Sequence, residues 1–184
     1  MSQAAGPRRS VEGFPGATVR SEFDAPVYFV DRESCVQLAL KIRDEGYAYP
    51  RCLSGVDHEW GLEAVTHVLN PETGGTATIR AQCTYDDPHL PTLTEVWPGL
   101  EWHEREAYDL VGIVFDGHPD LRRILNPEEW AIFPLQKRYD TGGYPVPGWQ
   151  PKEKPEHWPD SVQPAAGGAG PRPSGPAMKS EEEQ

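Results

Sequence analysis

At 184 residues, with 37% hydrophobic residues and with 20 prolines and 18 glycines, the chain has material for one cored domain flanked by irregular segments. A net charge of −12 repels phosphate backbones and anionic lipid, arguing against nucleic-acid and direct membrane-surface binding. No run approaches the roughly 18 apolar residues of a transmembrane helix and MSQAAGPRRS lacks a signal-peptide core, so a soluble, cytoplasmic chain is expected, with any membrane association through a partner.

Cys35, Cys52 and Cys83 are widely spaced and form no C-x-x-C pair. Structural zinc and iron–sulfur clusters want several closely spaced thiolates, so the three read as small buried hydrophobes.

Residues 1–26 mix Gly, Pro, Arg and Ser and read as a mobile lead-in, with order beginning near Pro26. Val27 to Val30 is a short strand. Asp31 can cap a helix starting at Arg32, whose stripe is Val36, Leu38, Ala39, Leu40 and Ile42 and whose left-handed end is Gly46. Tyr47 to Val56 is extended, and Pro50 confines it to an edge or a break. Ala64 to Leu69 alternates, residues 70–75 are turn formers, and Thr76 to Cys83 returns as the second strand of a hairpin.

Residues 86–91 form a turn, and Thr92 or Thr94 caps a short helix ending near Trp97-Pro98. A longer helix runs from Gly99 to Val111, with Leu100, Glu104, Ala107, Tyr108 and Val111 along one side and Glu101, Arg105 and Asp109 as an i, i+4 ladder; Gly112 ends it. The class is α+β, a mostly antiparallel sheet with helices packed on it. After Phe115 the prolines prevent long regular elements. Yet Leu121, Ile124, Leu125, Trp130, Ile132, Phe133 and Leu135 are too apolar for a free loop, so an extended C-terminal arm should dock on the domain or on another protein. The division is therefore a lead-in at 1–26, an α+β domain at 27–116, an arm at 117–150 and a disordered tail at 151–184, where Leu, Ile and Phe are absent.

Little catalytic vocabulary is present. His103-Glu104-Arg105-Glu106-Ala107 begins like the H-E-x-x-H zinc helix, but Ala107 stands where the second ligand must be. Glu101, Glu104 and Glu106 crowd as paired acids do in general acid–base sites, but Arg105 lies among them and a charged helix surface explains them as well. His118, between Gly117 and Pro119, suits a turn in which imidazole bonds backbone. Arg122 and Arg123 sit in an apolar strip and require acceptors, on the helix acids or on a partner.

Glu104-Arg105-Glu106, Asp109-Leu110, Gly112-Ile113, Phe115 and the run Gly117-His118-Pro119-Asp120-Leu121-Arg122-Arg123-Ile124-Leu125 resemble the signature of the complex I 30 kDa (C-type) subunit family. The resemblance is dense over 86–139 and extends back to 27. Two departures stand out: Val111 replaces the usual phenylalanine or other large residue, and Leu135-Gln136-Lys137-Arg138-Tyr139-Asp140 replaces the more usual Leu-Arg-Lys-Asp-Tyr-Pro.

The resemblance implies a peripheral, cofactor-free subunit of NADH:quinone oxidoreductase on the cytoplasmic side of the cell inner membrane. Flavin mononucleotide and iron–sulfur clusters would sit in other hydrophilic-arm subunits, and the chain would pack on the D-type (49 kDa) subunit that helps form the quinone pocket. No catalytic, cofactor-binding or metal-ligating residue is expected. Glu104, Arg105, Glu106, Asp109, Gly112, Gly117, His118, Pro119, Asp120, Arg122 and Arg123 would organise the helix–turn–arm junction and the interface. The same signature fits equivalent subunits of F420H2- or ferredoxin-dependent complexes and of energy-converting hydrogenases. A stand-alone acid–base enzyme using Glu104 or Glu106 with His118 is the alternative of a different class.

Overall fold

In a computed structural model describing residues 8–22, 24–140 and 142–152, alternation along one strand, Leu62–Leu69, sorts the domain into two faces. Leu62, Ala64 and Val68 are buried apolar residues, while the intervening His67 is exposed. Successive strand residues point to opposite sides, so every partner in register inherits one face or the other.

Numbered along the chain, the strands are β1 (Arg9–Val11), β2 (Phe14–Glu22), β3 (Ala25–Val30), β4 (Tyr49–Asp57), β5 (Leu62–Leu69) and β6 (Thr76–Cys83). They form one mixed sheet in the order β1-β2-β3-β6-β5-β4. Two antiparallel blocks, β1-β2-β3 and β4-β5-β6, meet at the parallel pair β3–β6, and helix α1 (Arg32–Asp44) leaves the first block toward the second. A small parallel pair, β7 (His89–Pro91) and β8 (Val114–Asp116), brackets helix α2 (Glu101–Val111).

The expected lead-in is corrected here, because the sheet begins at Arg9 and β2 pairs with β3 from Ala17↔Val30 to Glu22↔Ala25. Pro15-Gly16 looks like loop punctuation, yet Gly16 lies inside the strand. Its O accepts from Asp31 N at 3.0 Å, and an added Cβ would lie 1.4 Å from Asp31 Oδ2. A close approach, rather than a turn, explains the glycine.

The α1 caps follow the sequence. Asp31 Oδ1 accepts from Ser34 N at 2.8 Å, and Gly46 (φ +100°) closes the end by donating to Arg43 O. Pro50 lies on edge strand β4, where the register shifts between Pro50 and Cys52. The helix expected after Thr92 or Thr94 reduces to one turn, Val96 N and Trp97 N both reaching Leu93 O, before a 3-10 turn at Pro98–Leu100 leads into α2.

Both helices cover the same face. Cys35, Leu38, Ala39 and Ile42 of α1 join Ala17, Val30, Leu53, Leu62, Ile79 and Val68 in one core, and Gly55 lets Ala107 and Val111 of α2 approach β4. Burying such side chains stabilises by roughly 1.5–3 kcal/mol each. Register places Thr18, Arg20, Val27, Phe29, Glu63, Arg80 and Gln82 on the opposite face. The arm adds no helix or strand among the described residues beyond an isolated bridge, Tyr139↔Pro145. The tail assigned to 151–184 lies outside the described residues from 153 onward.

Candidate functional site

Helix α2 turns three charged side chains inward instead of presenting them to solvent. Glu104 and Asp109 are wholly buried and Arg105 is nearly so. Among the described residues no ion pair joins Glu101, Arg105 and Asp109 as the expected i, i+4 ladder would, because Arg105 and Asp109 are directed to segments outside the helix.

Asp109 is the centre. Its Oδ2 accepts from three successive backbone N–H groups, Ile124 (3.1 Å), Leu125 (2.7 Å) and Asn126 (2.9 Å), and its Oδ1 accepts from Arg123 Nη1 (2.8 Å) and Asn126 Nδ2 (2.9 Å). Burial alone would raise this carboxyl; the backbone N–H groups of Asn126 and Leu125, the Asn126 amide and the Arg123 guanidinium overcome it and hold the pKa well below the usual carboxylate range. Arg123 also donates to Asp109 O, Trp130 O (2.8 Å) and Ile132 O (3.1 Å), with its guanidinium 5.0 Å from the Phe133 ring centroid. Arg105 donates to Arg122 O (3.1 Å) and Arg123 O (3.3 Å) and lies 4.7 Å from the centroid of exposed Trp102. Buried guanidiniums are tolerated because each meets a carboxylate or several carbonyls.

Glu104 has poorer company. Thr92 Oγ1 donates to its Oε2 (2.5 Å) and Leu93 N to its Oε1 (2.7 Å), and among the described residues no cation is bonded to it. Burial pushes its carboxyl up to about 7, against both bonds. His118 donates from Nε2 to Glu101 O (3.1 Å) and accepts at Nδ1 from Asp120 N (3.0 Å), a pairing that assigns the Nε2–H tautomer. Its ring nitrogens therefore serve backbone groups. Glu106 is exposed, so the acid–base trio of Glu104, Glu106 and His118 is dispersed among burial, solvent and a turn.

The two arginines separate. Arg123 is buried in the junction, whereas Arg122 is exposed and pairs with Asp120 at 2.8 Å. Gly112 (φ +87°) caps α2 through Ala107 O and Tyr108 O, and an added Cβ would meet the Phe133 ring at 2.7 Å. Gly117 (φ +84°) makes the turn before His118, with Pro119 exposed beside it.

Farther along, Leu135 N donates to Leu110 O (3.0 Å) and buried Gln136 Nε2 to Val111 O (2.5 Å). The two places where the signature departs from the family's usual residues thus touch each other. Asp57, at the end of β4, accepts from Lys137 N (2.7 Å), Glu59 N (2.8 Å) and the Tyr85 hydroxyl. These pins hold out an apolar surface: Leu125 is 68% exposed, Leu135 58%, Tyr144 64% and Trp130 45%.

Sequence reasoning missed Asp57, Gln136, Asn126 and Glu63. Wholly buried Glu63 accepts from Arg80 Nε (3.0 Å) and Nη2 (2.6 Å) and from Gln82 Nε2 (3.2 Å), and meets His58 Nε2 at 2.7 Å. Burial raises its carboxyl, but His58, Arg80 and Gln82 outweigh that and leave it lowered. The hairpin register held the signal, since it sets Glu63 opposite Gln82 and diagonal to Arg80.

Among the described residues, no group of three or more His, Cys, Asp or Glu is arranged to hold a metal, and no helix is long and apolar enough to cross a membrane. Burial pushes the Cys35 and Cys83 thiols up to about 12, whereas Cys52 is partly exposed.

A family profile described as "Respiratory-chain NADH dehydrogenase, 30 Kd subunit" matches residues 28–145. The chain is 46% identical over 97 residues to the C-type NADH-quinone oxidoreductase subunit of Chloroherpeton thalassium, covering 50% of this chain and 40% of that one. It is 36% identical over 141 residues to the corresponding NADH-quinone oxidoreductase subunit of Acidothermus cellulolyticus, covering 72% and 73%. The chain spans about half the length of the first curated relatives it matches. A trypsin-resistant fragment of Nqo5 has a similar structure, with a TM-score of 0.53 and 27% identity over 58% of this chain and 90% of the fragment. A chain of the archaeal membrane-bound sulfane sulfur reductase shares the fold, at a TM-score of 0.61 and 22% identity over 68% of this chain and 78% of that one.

Proposed function

The chain belongs to the 30 kDa subunit family of respiratory-chain NADH dehydrogenase, and from that premise we propose that it is a non-catalytic peripheral-arm subunit of a proton-translocating NADH:quinone oxidoreductase. It scaffolds the large D-type (49 kDa) subunit from the cytoplasmic side of the cell inner membrane. Flavin mononucleotide and iron–sulfur clusters reside in neighbouring subunits, and this chain holds no electron carrier. The observation that carries the reading is the pinned arm: Leu125, Trp130, Leu135 and Tyr144 stay exposed while the backbone beside them is fastened to buried Asp109 and Asp57. An arm without helix or strand loses conformational entropy on ordering, and an apolar face held out at that cost suits a partner. Signature residues Glu104, Arg105, Asp109, Gly112, His118 and Arg123 then act by shaping this junction, while Glu106, Pro119, Asp120 and Arg122 are placed to touch the partner.

The test is to tag the chain in its native host, solubilise membranes gently and identify what co-purifies. A large flavin- and iron–sulfur-containing assembly that oxidises NADH is expected, and Leu125→Asp with Leu135→Asp should reduce its recovery severalfold without moving the chain's own unfolding midpoint. Recovery of the wild-type chain only as a free monomer contradicts the proposal.

A further inference from the structure

Thr92 stands between a buried carboxyl group and a surface cleft. Its Oγ1 donates to Glu104 Oε2 (2.5 Å), accepts from Thr94 N (3.1 Å) and lies 2.8 Å from Thr94 Oγ1, a contact in which either hydroxyl can be the donor. Thr94 in turn lines a cleft of about 240 Å³ whose other walls are Glu95, Pro98, Glu101, Gly117 and Pro119. Glu95, Pro98, Gly117 and Pro119 are exposed, so the cleft opens to solvent, and at about 30 Å³ per molecule it has room for several waters. Glu104 itself is wholly buried. Two hydroxyls in series therefore span the way from solvent to the carboxyl.

The series has two directions, both fully satisfied. With Glu104 ionised, Thr92 donates to Oε2 and accepts from Thr94 N and the Thr94 hydroxyl. With Glu104 neutral, the carboxyl O–H donates to Thr92 Oγ1, Thr94 N stays in place, and the Thr92 proton turns to Thr94 Oγ1. Thr92 donates once and accepts twice either way, and Leu93 N remains on Oε1. Reversal loses no buried hydrogen bond; only the Thr94 hydroxyl changes, from donating inward to donating into the cleft. Because burial raises the carboxyl to about 7, both directions are populated near neutral pH. Titratable groups of the neighbouring elements have other engagements. Facing Glu104 from α1, the Cys35 thiol is pushed up to about 12 by burial, with the Glu104 and Asp31 charges adding to it, and stays neutral. Arg105 of α2 turns to Arg122 O and Arg123 O, His118 bonds Glu101 O, and His89 of β7 pairs with Asp116 of β8, while Glu95 and Glu101 border the cleft.

We propose that Thr94 and Thr92 form a proton relay between the cleft and Glu104, and that the relay reverses the hydrogen-bonding polarity that Thr94 presents to the cleft beside the 117–119 turn. A hydronium ion in the cleft gives a proton to Thr94 Oγ1, the Thr94 proton passes to Thr92 Oγ1, and the Thr92 proton passes to Glu104 Oε2. Each hydroxyl gains one proton and loses one, leaving water in the cleft and a neutral carboxyl inside. The cleft meets an acceptor at Thr94 when Glu104 is ionised and a donor when it is neutral, so the protonation state of buried α2 is displayed at the surface beside His118.

NMR of the full-length chain between about pH 5 and 9 tests this through the Glu104 carboxyl carbon and the Thr92 and Thr94 Cβ resonances. All three should titrate with one midpoint. Glu104→Gln, whose amide N–H donates to Thr92 as the neutral carboxyl does, should leave Thr92 and Thr94 flat across that range. Thr92→Val, alike in shape but without the hydroxyl, should leave Glu104 titrating at a raised midpoint, since a bond favouring the ionised form is gone, while Thr94 no longer follows; Thr92→Ser should restore the coupling. Thr94→Val should slow proton exchange at Glu104 severalfold, seen as a broadened carboxyl line at the midpoint. A Thr94 signal that is flat in the wild type, that still titrates in Glu104→Gln or that still follows Glu104 in Thr92→Val overturns the proposal, as does an unbroadened carboxyl line in Thr94→Val.

Discussion

Five residues apart on α2, Glu104 and Asp109 are equally buried and oppositely disposed toward protons. Asp109 faces a guanidinium and four N–H donors from the arm, so it stays ionised; Glu104 faces a hydroxyl and one N–H, so its carboxyl rises to about 7. Compensation, not burial, decides which carboxylate is a fixed charge. Fixed charge is what an arm lacking helix and strand needs for its anchorage, whereas Glu104 ties α2 to the β7 end of the core.

Breaking the Asp109 side should have the largest effect. Asp109→Asn sets an amide N–H among donors and strands Arg123, and Arg123→Ala strands the carboxylate; each should cost about 3–5 kcal/mol, read as a lowered denaturation midpoint and loss of exchange protection at 124–136. Because the folded pKa of Asp109 is depressed, its contribution is present above the ordinary carboxylate pKa and is lost only as pH falls through the lower folded value. Arm protection should therefore be flat from pH 5 to 8.

The Glu104 side should respond in the opposite sense and somewhat less. Its folded pKa, raised from 4.5 to about 7, makes the ionised form unfavourable. The penalty, up to about 3 kcal/mol, is full above pH 7 and vanishes as pH falls below the unfolded value near 4.5. Glu104→Gln keeps an acceptor for Leu93 N and offers a donor to Thr92 Oγ1. It should be at least as stable as wild type at pH 8 and should flatten stability between pH 5 and 8 in urea titrations; an unchanged wild-type slope in the variant would refute the assignment. The smallest effect belongs to Arg122→Ala, whose exposed pair with Asp120 should leave the unfolding midpoint almost unmoved. If Arg122→Ala destabilises as much as Arg123→Ala, the division between anchor and surface fails.

The sequence disclosed whatever is local or repeated: the Asp31 and Gly46 caps, the β5–β6 hairpin, Pro50 on an edge and Gly112 at the end of α2. It also carried the signature across 104–125. It hid what depends on distant partners. Charged residues on a short helix read as a solvated face, and nothing local says that Asp109 will meet Asn126 or that Asp57 will meet Lys137. Strands β1 and β2 were concealed because Gly16 marks a close approach to Asp31, which looks like loop composition until the fold brings Asp31 there.

If Asp109 presents the arm for assembly, its loss must show in the amount of chain recovered in the large membrane complex on native gels. Glu104→Gln should enter at the wild-type level, while Asp109→Asn, still carrying its sheet by circular dichroism, should be largely excluded. Wild-type incorporation of Asp109→Asn would contradict that role.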